Sequence, residues 1–108
     1  MSELIICKKQ GIHVLHLEDI LYMEKNLRKI RVSAGDSSIE FYGKFPDIED
    51  YLDERFMCCH RSYIINMDKI VIMRYNTIFF ENNERICLVR DAYGRAKKIF
   101  SSYLEENR

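Results

Sequence analysis

The chain has 108 residues, 47% hydrophobic and 12% aromatic, with four glycines and one proline, which is enough apolar material for one packed core and excludes a disordered chain. Its formal net charge is zero, from 17 basic and 17 acidic side chains, which taken alone counts against a nucleic-acid partner, because Lys and Arg neutralising phosphates supply most non-specific affinity. No run approaches the ~20 apolar residues of a membrane span and Met1, Ser2 and Glu3 begin no secretion signal, so the expectation is a cytoplasmic protein without membrane contact, a single domain over residues 1–108.

In chain order, the first strand signal is the apolar run 4–7, followed by the alternation of Ile12, Val14 and His16 with His13, Leu15 and Leu17, and then by the run 20–23. Ile30 and Val32 alternate with Lys29, Arg31 and Ser33, and Ile39 and Phe41 alternate with Ser38, Glu40 and Tyr42. Gly35 and Asp36 between those two runs tolerate the positive φ of a tight hairpin. Pro46 suits an opening helical turn and places Ile48, Tyr51, Leu52 and Arg55 or Phe56 along one face, which predicts a short helix near residues 46–54. Further strands fall at 63–65, 70–73 and 78–80, and Asn82 and Asn83 supply a turn between the runs 76–81 and 84–90. A C-terminal helix, capped by Asp91 and reaching Leu104, carries Tyr93, Ala96, Phe100, Tyr103 and Leu104 on one stripe. About nine short strands without βαβ alternation predict a mostly β sandwich or barrel of antiparallel hairpins.

Cys7, Cys58, Cys59 and Cys87 lie in apolar segments without disulfide-framework spacing and read as reduced thiols. Cys58, Cys59 and His60 are adjacent, but neighbouring strand residues point to opposite faces and no second ligand pair completes a tetrahedral set, so no metal or other cofactor is expected. The charges are segregated along the chain. Lys25, Arg28, Lys29 and Arg31 have no acid among them, and Arg85, Arg90, Arg95, Lys97 and Lys98 are opposed only by Asp91 towards the C-terminus. Asp47, Glu49, Asp50, Asp53 and Glu54 form an acidic block, so a folded chain could present a basic and an acidic face while its sum stays zero. Each run taken singly is also what a solvated face looks like.

Several local strings resemble the LytTR family of bacterial DNA-binding domains. These are Asp19-Ile20-Leu21-Tyr22-Met23-Glu24, Ile39-Glu40-Phe41-Tyr42-Gly43, and the run from Phe56 to Ile70, in which His60-Arg61-Ser62-Tyr63-Ile64-Ile65-Asn66 is the most diagnostic. The closing Leu88-Val89-Arg90-Asp91-Ala92-Tyr93 is similar to the family's last strand and turn, although many members carry serine where this chain has Val89. The Phe-Tyr-Gly and Cys-His strings look closest to the quorum-sensing virulence regulators of the family. The resemblance implies an elongated sandwich of mainly antiparallel sheets with a short helix near 46–54 and a C-terminal helix. It also implies sequence-specific binding of double-stranded DNA as the output domain of a transcription regulator, with loops entering successive major grooves. Promoter direct repeats occupied by two copies, a receiver domain and RNA polymerase are the partners it implies.

Three places match the family's DNA-contacting loops: Lys25, Asn26, Arg28 and Lys29; His60 and Arg61; and Arg90 with Asp91 behind it. Arg61 and Arg90 suit base reading, because a guanidinium donates two parallel hydrogen bonds to guanine O6 and N7, whereas Lys25, Arg28 and Lys29 suit phosphates. The plainer alternatives are an exposed strand-end residue or an ion pair with the acidic helix for Arg61, and a strand-edge charge for Arg90. His60 either touches DNA or holds the following turn by a side-chain to backbone hydrogen bond, and Ser62 and Asn66 fix turns. Cys59, close to Arg61, is either a buried structural thiol or an acidified, redox-sensitive one.

An enzyme is not expected, because no recognisable nucleophile elbow or glycine-rich loop surrounds His13, His16 or His60. The competing function is a protein interaction module that uses the acidic segment 46–54 and the aromatic C-terminal helix.

Overall fold

The computed structural model describes residues 2–107. Ten strands and one α-helix are present among them: β1 (Glu3–Lys8), β2 (Gly11–His16), β3 (Tyr22–Asn26), β4 (Lys29–Ala34), β5 (Ser37–Tyr42), β6 (Phe56–His60), β7 (Tyr63–Asn66), β8 (Ile70–Arg74), β9 (Thr77–Phe80), β10 (Arg85–Cys87) and α1 (Arg90–Glu106). All pairing is antiparallel, in a five-stranded sheet of order β5-β4-β3-β7-β6, a three-stranded sheet β10-β9-β8 and the hairpin β1-β2. The mostly β, antiparallel expectation holds, within extents of 40 × 30 × 25 Å.

The alternation read in the sequence builds the layers. Met23, Ile30, Val32, Ile64 and Phe56 point to one face of the five-stranded sheet and meet Leu4, Ile6 and Leu17 from the β1-β2 hairpin and its exit. Tyr22, Ile65, Met57 and Cys59 point to the other face and meet Ile78, Phe80 and Ile86 of the three-stranded sheet together with Ala92 and Ala96 of α1. The central sheet is therefore covered on both faces, with β7 apolar on both and β4 apolar on one and polar on the other. Asn66, fully buried at the end of β7, donates from Nδ2 to the carbonyls of Ile20 (2.8 Å) and Leu17 (3.3 Å) and accepts from the Asp68 N–H (3.0 Å). It fixes the turns on both sides of the sheet's last row, as its side-chain chemistry suggested.

Polar residues also join the two larger sheets. Glu84, in the β9-β10 turn, accepts from Tyr22 Oη at 2.5 Å, from Ser33 Oγ and from Asn82, and Arg31 donates to Tyr22 Oη at 3.1 Å and to Glu24 at 3.0 Å. Burial alone would raise the Glu84 pKa, but the hydrogen bonds from Tyr22, Asn82 and Ser33 and the charge of Arg31 outweigh it and hold the carboxyl below its ordinary 4.5. A depressed folded value means the contribution is fully present above the unfolded pKa and is lost as pH falls through the folded one. We therefore expect the urea midpoint to drop between about pH 6 and pH 3, and Glu84→Gln to be less stable than wild type at the upper end of that range, with the gap closing at the lower end.

Two local expectations are corrected. The segment near 46–54 is not one helix but two single 3-10 turns, Phe45–Asp47 and Glu49–Tyr51, meeting at Ile48. Ile48 is buried in the core under the β1-β2 hairpin with Phe45 and Leu52 packed against it, and breaking the helix there lets all three reach the same core. The C-terminal helix begins at Arg90 with Val89 as its N-cap rather than at Asp91, which falls inside the first turn. Val89 offers no capping side chain and is 69% exposed. Val89→Ser should therefore stabilise the domain by about 1 kcal/mol, a rise of roughly 4 °C in a thermal melt followed by circular dichroism.

Candidate nucleic-acid interface

Strand direction sorts the loops onto two ends of the molecule. The β3-β4 turn at Leu27 and Arg28 lies at the same end as the β6-β7 turn at Arg61 and Ser62, because β3 and β7 pair through Glu24 and Tyr63 and the Lys25 N–H donates to the Ser62 carbonyl at 2.8 Å. The exit of β5 joins them, with the Gly43 N–H donating to the Arg28 carbonyl at 3.0 Å. Helix α1 runs antiparallel to β6. Tyr103 near its C-terminus donates to Asp68 at 2.6 Å, just past the far end of β7, whereas Arg95 sits near Cys59, so Arg90 comes to the Arg61 end. The β8-β9 turn at Tyr75 and Asn76 is there too, since the Leu88 N–H donates to the Asn76 carbonyl at 2.9 Å just before α1.

The three segments singled out in the sequence thus share one end of the sandwich, and that end is basic. Asn26, Arg28, Lys29, Arg61 and Arg90 are exposed and Lys25 is partly so. Among the described residues none of the five cations has a carboxylate within ion-pair distance. The ion pairs lie elsewhere, as Arg31–Glu24, Arg55–Asp53, Lys69–Glu81 and His16–Glu3. Arg61 stands at the opposite end of β6 from Asp53 and Glu54, roughly 16 Å of strand away, so the ion pair with the acidic segment is not made. Arg90 is the first residue of a helix and not a strand-edge charge. The opposite end holds the turns with Asp36, Asp68, Glu81 and Glu84, while Asp47 and Asp91 are outnumbered by Lys and Arg at the basic end, so the neutral total conceals an uneven charge distribution.

The family model for the LytTr DNA-binding domain matches residues 10–101. The chain belongs to the LytTR family. It is 32% identical over 82 residues to accessory gene regulator protein A of Staphylococcus epidermidis and 29% identical over 82 residues to that of Staphylococcus aureus, in each case covering 70% of this chain and 34% of the relative. The chain thus spans about a third of the length of the curated relatives it matches. The fold is that of the solved LytTr DNA-binding domain of a Bacillus cereus protein described as a methyl-accepting/DNA response regulator, with a TM-score of 0.74 and 21% identity over 92% of this chain and 96% of that one.

In this LytTR domain the turn-holding role of His60 is explicit. Its Nδ1 accepts the Ser62 N–H at 3.0 Å and its ring packs 5.7 Å from that of Tyr63, which leaves Nε2 as the nitrogen that carries the proton and faces away from the turn. Tyr63 is itself hydrogen-bonded to Glu24 at 3.3 Å, so the ring beside Arg61 rests on the polar network of the sheet. Lys25 Nζ donates to the Leu27 carbonyl, bracing the β3-β4 turn, and the Lys29 ammonium lies 5.2 Å from the centre of the Tyr42 ring. The acidified-thiol reading of Cys59 is overturned. The residue is buried in the core, and burial pushes its thiol up, against the smaller opposing effects of a backbone hydrogen bond and Arg95.

The structure also gathers residues at this end that the sequence did not flag. Leu27 (φ 57°, 87% exposed) and Tyr75 (φ 55°, 88% exposed) hold a left-handed backbone at hairpin tips without burying anything, a conformation that costs an ordinary residue about 1 kcal/mol. Arg74 lies 5.8 Å from the Tyr75 ring. The two-residue spacing between the paired Arg74 and Thr77 was the available signal for this turn, but Tyr-Asn is not a usual hairpin dipeptide.

Of the surfaces a protein-docking role would use, the aromatic stripe of α1 is packed inward, whereas Asp47, Glu49, Asp50, Tyr51 and Glu54 of the acidic segment are exposed. Tyr93, Phe100 and Tyr103 of α1 pack on the domain's own core, Asp47 accepts the Lys44 N–H at 2.9 Å and Asp53 pairs with Arg55 at 2.9 Å. No helix among the described residues is long and apolar enough to cross a membrane.

Proposed function

We propose that this domain binds double-stranded promoter DNA sequence-specifically, as the output domain of a bacterial transcription regulator, with its basic end facing the duplex. The single observation that supports this best is the convergence, at one end of the sandwich, of exposed or partly exposed cations that have no carboxylate partner among the described residues. Cations that stabilise a fold are paired within it; cations kept free beside strained, exposed hairpin tips suit an external polyanion.

The roles follow from side-chain geometry. Arg61 at the β6-β7 turn and Arg90 at the start of α1 read base edges in successive major grooves. Lys25, Arg28 and Lys29 contact the phosphates between them, Asn26 pairs with an adenine edge or a phosphate, and His60 presents Nε2–H to the same duplex while holding the Arg61 turn. A receiver domain elsewhere in the full-length regulator and RNA polymerase are the protein partners of this role, and two copies occupy paired direct repeats. The chain works without a metal or organic cofactor, performs no catalysis, and acts in the cytoplasm where the promoter lies.

A salt titration with a random-sequence duplex tests the electrostatic part. The three cations assigned to phosphates imply a log–log slope of affinity against salt of about −2.7 or steeper, at roughly 0.9 per phosphate contacted. An affinity for DNA that is absent at low salt, or indifferent to salt, is incompatible with this use of the basic end.

A further inference from the structure

The five-stranded sheet sets its loops in a row, in the order Arg61, Leu27 with Arg28, and Tyr42, the two turns about two strand spacings apart, roughly 10 Å, and Tyr42 roughly 7 Å beyond. The row does not stop at β5. The tip of the β1-β2 hairpin, Lys9 and Gln10, lies at the same end and is held against the β5 edge by Lys8 Nζ, which donates to the Glu40 carbonyl at 3.0 Å. Between tip and edge is a cleft of about 490 Å³ whose walls include Lys8, Lys9, Gln10, Lys29 and Tyr42. Lys8, Lys9 and Gln10 are exposed, and Tyr42 is 74% exposed with Lys29 against its ring. Glu40 is the one acidic side chain among the described residues of this cleft.

We propose that this cleft is an additional binding site for the sugar-phosphate backbone of the same duplex, one that lengthens the footprint beyond the base-reading loops. The proposal rests on the DNA-binding reading above and adds a flank to it. Three ammonium groups around a groove that carries Gln10 and a tyrosyl hydroxyl match a phosphodiester, where point charges and single hydrogen-bond donors suffice and no base edge has to be reached. The hairpin is a fixed part of the surface and not a loose arm, because Leu4 and Ile6 of β1 are core, Leu15 of β2 packs against them and Lys8 ties the tip to β5. The occupant is the stretch of backbone beside the readout site, since the cleft continues the same row of loops.

The test compares wild type with Lys8→Gln/Lys9→Gln, and with Lys9→Gln alone, on the best selected duplex and on the same duplex shortened at the flank. Hydroxyl-radical footprinting and affinity across a salt series are read, with a thermal melt confirming that each variant is folded. The double variant should bind with a log–log salt slope shallower by about 1.8, at roughly 0.9 per phosphate. It should lose protection only at one flank, keep the wild-type base preference, and be indifferent to the shortening that weakens wild type. Lys9→Gln should show about half the change in slope. An unchanged slope and footprint in a folded double variant overturns the flank site while leaving the readout intact. A wild-type domain that selects no duplex overturns the underlying DNA-binding reading instead.

Discussion

Arg61→Ala and Arg90→Ala should each weaken binding to the preferred site by about 1–3 kcal/mol, roughly 5- to 150-fold, and each should relax preference at its own base pairs while leaving the other's intact. The expectation comes from where the fold puts them. Arg61 sits in a turn that is held from behind by the His60 Nδ1 bond to the Ser62 N–H, and it has no acidic partner among the described residues. Its truncation therefore removes nothing that stabilises the domain, and the loss should appear in binding and not in the thermal melt. Arg90 begins α1, and Ala92 two residues later is buried, so the base of its side chain is rigid. Lys25→Ala, Arg28→Ala and Lys29→Ala should behave differently, lowering affinity for all sequences alike and reducing the salt slope by about 0.9 each. Competition against duplexes with single base-pair changes separates the two classes. Equal losses on every sequence for Arg61→Ala would remove it from base readout.

The largest effect on stability is expected at Asn66. Its side chain is fully buried and serves the Ile20 and Leu17 carbonyls and the Asp68 N–H at once. Asn66→Ala strands the Ile20 carbonyl and the Asp68 N–H, while the Leu17 carbonyl keeps the Ile20 N–H at 3.1 Å. The cost should be about 3 kcal/mol, at roughly 1–3 for each buried group left unpaired, which is a large part of the ~5–15 kcal/mol that holds a small domain folded. A urea melt should show the midpoint falling with an unchanged slope. A loss below about 1 kcal/mol would mean that water replaces the amide and that Asn66 does not lock these turns.

The sandwich was legible where one residue in two had to be apolar. Ile30 and Val32 against Arg31 and Ser33, and Ile39 and Phe41 against Glu40 and Tyr42, announced β4, β5 and the turn between them, in which Gly35 adopts φ 75°. β6 carried no such signal as a strand. Phe56 serves one core and Met57 and Cys59 the other, so both faces of the strand are apolar and the alternation vanishes. The short helix failed because Pro46 and the acidic run describe a helix start well but say nothing of the burial of Ile48, which breaks it. Asp91 looked like the cap of α1 because aspartate is a good one, and only tertiary context places Val89 there.

For the candidate interface, the residue types were visible and the convergence was not. Lys25 to Lys29, His60 with Arg61, and Arg90 are far apart in the chain, and their meeting depends on the β3-β7 pairing and on α1 running back along β6. The neutral charge sum misleads for the same reason, since it averages over an uneven charge distribution. Leu27 and Tyr75 escaped notice because an exposed apolar or aromatic side chain is unremarkable until its backbone is seen at positive φ.

Whether the basic end reads DNA sequence is measured most directly by an unbiased selection from random duplexes by the purified domain, repeated with an Arg61→Ala/Arg90→Ala variant. The predicted result is a recurring motif with repeated half-sites for the wild type, and for the variant an enriched pool in which the positions read by Arg61 and Arg90 have lost their preference. A wild-type pool with no enriched sequence, or a variant pool with the same motif, would contradict it.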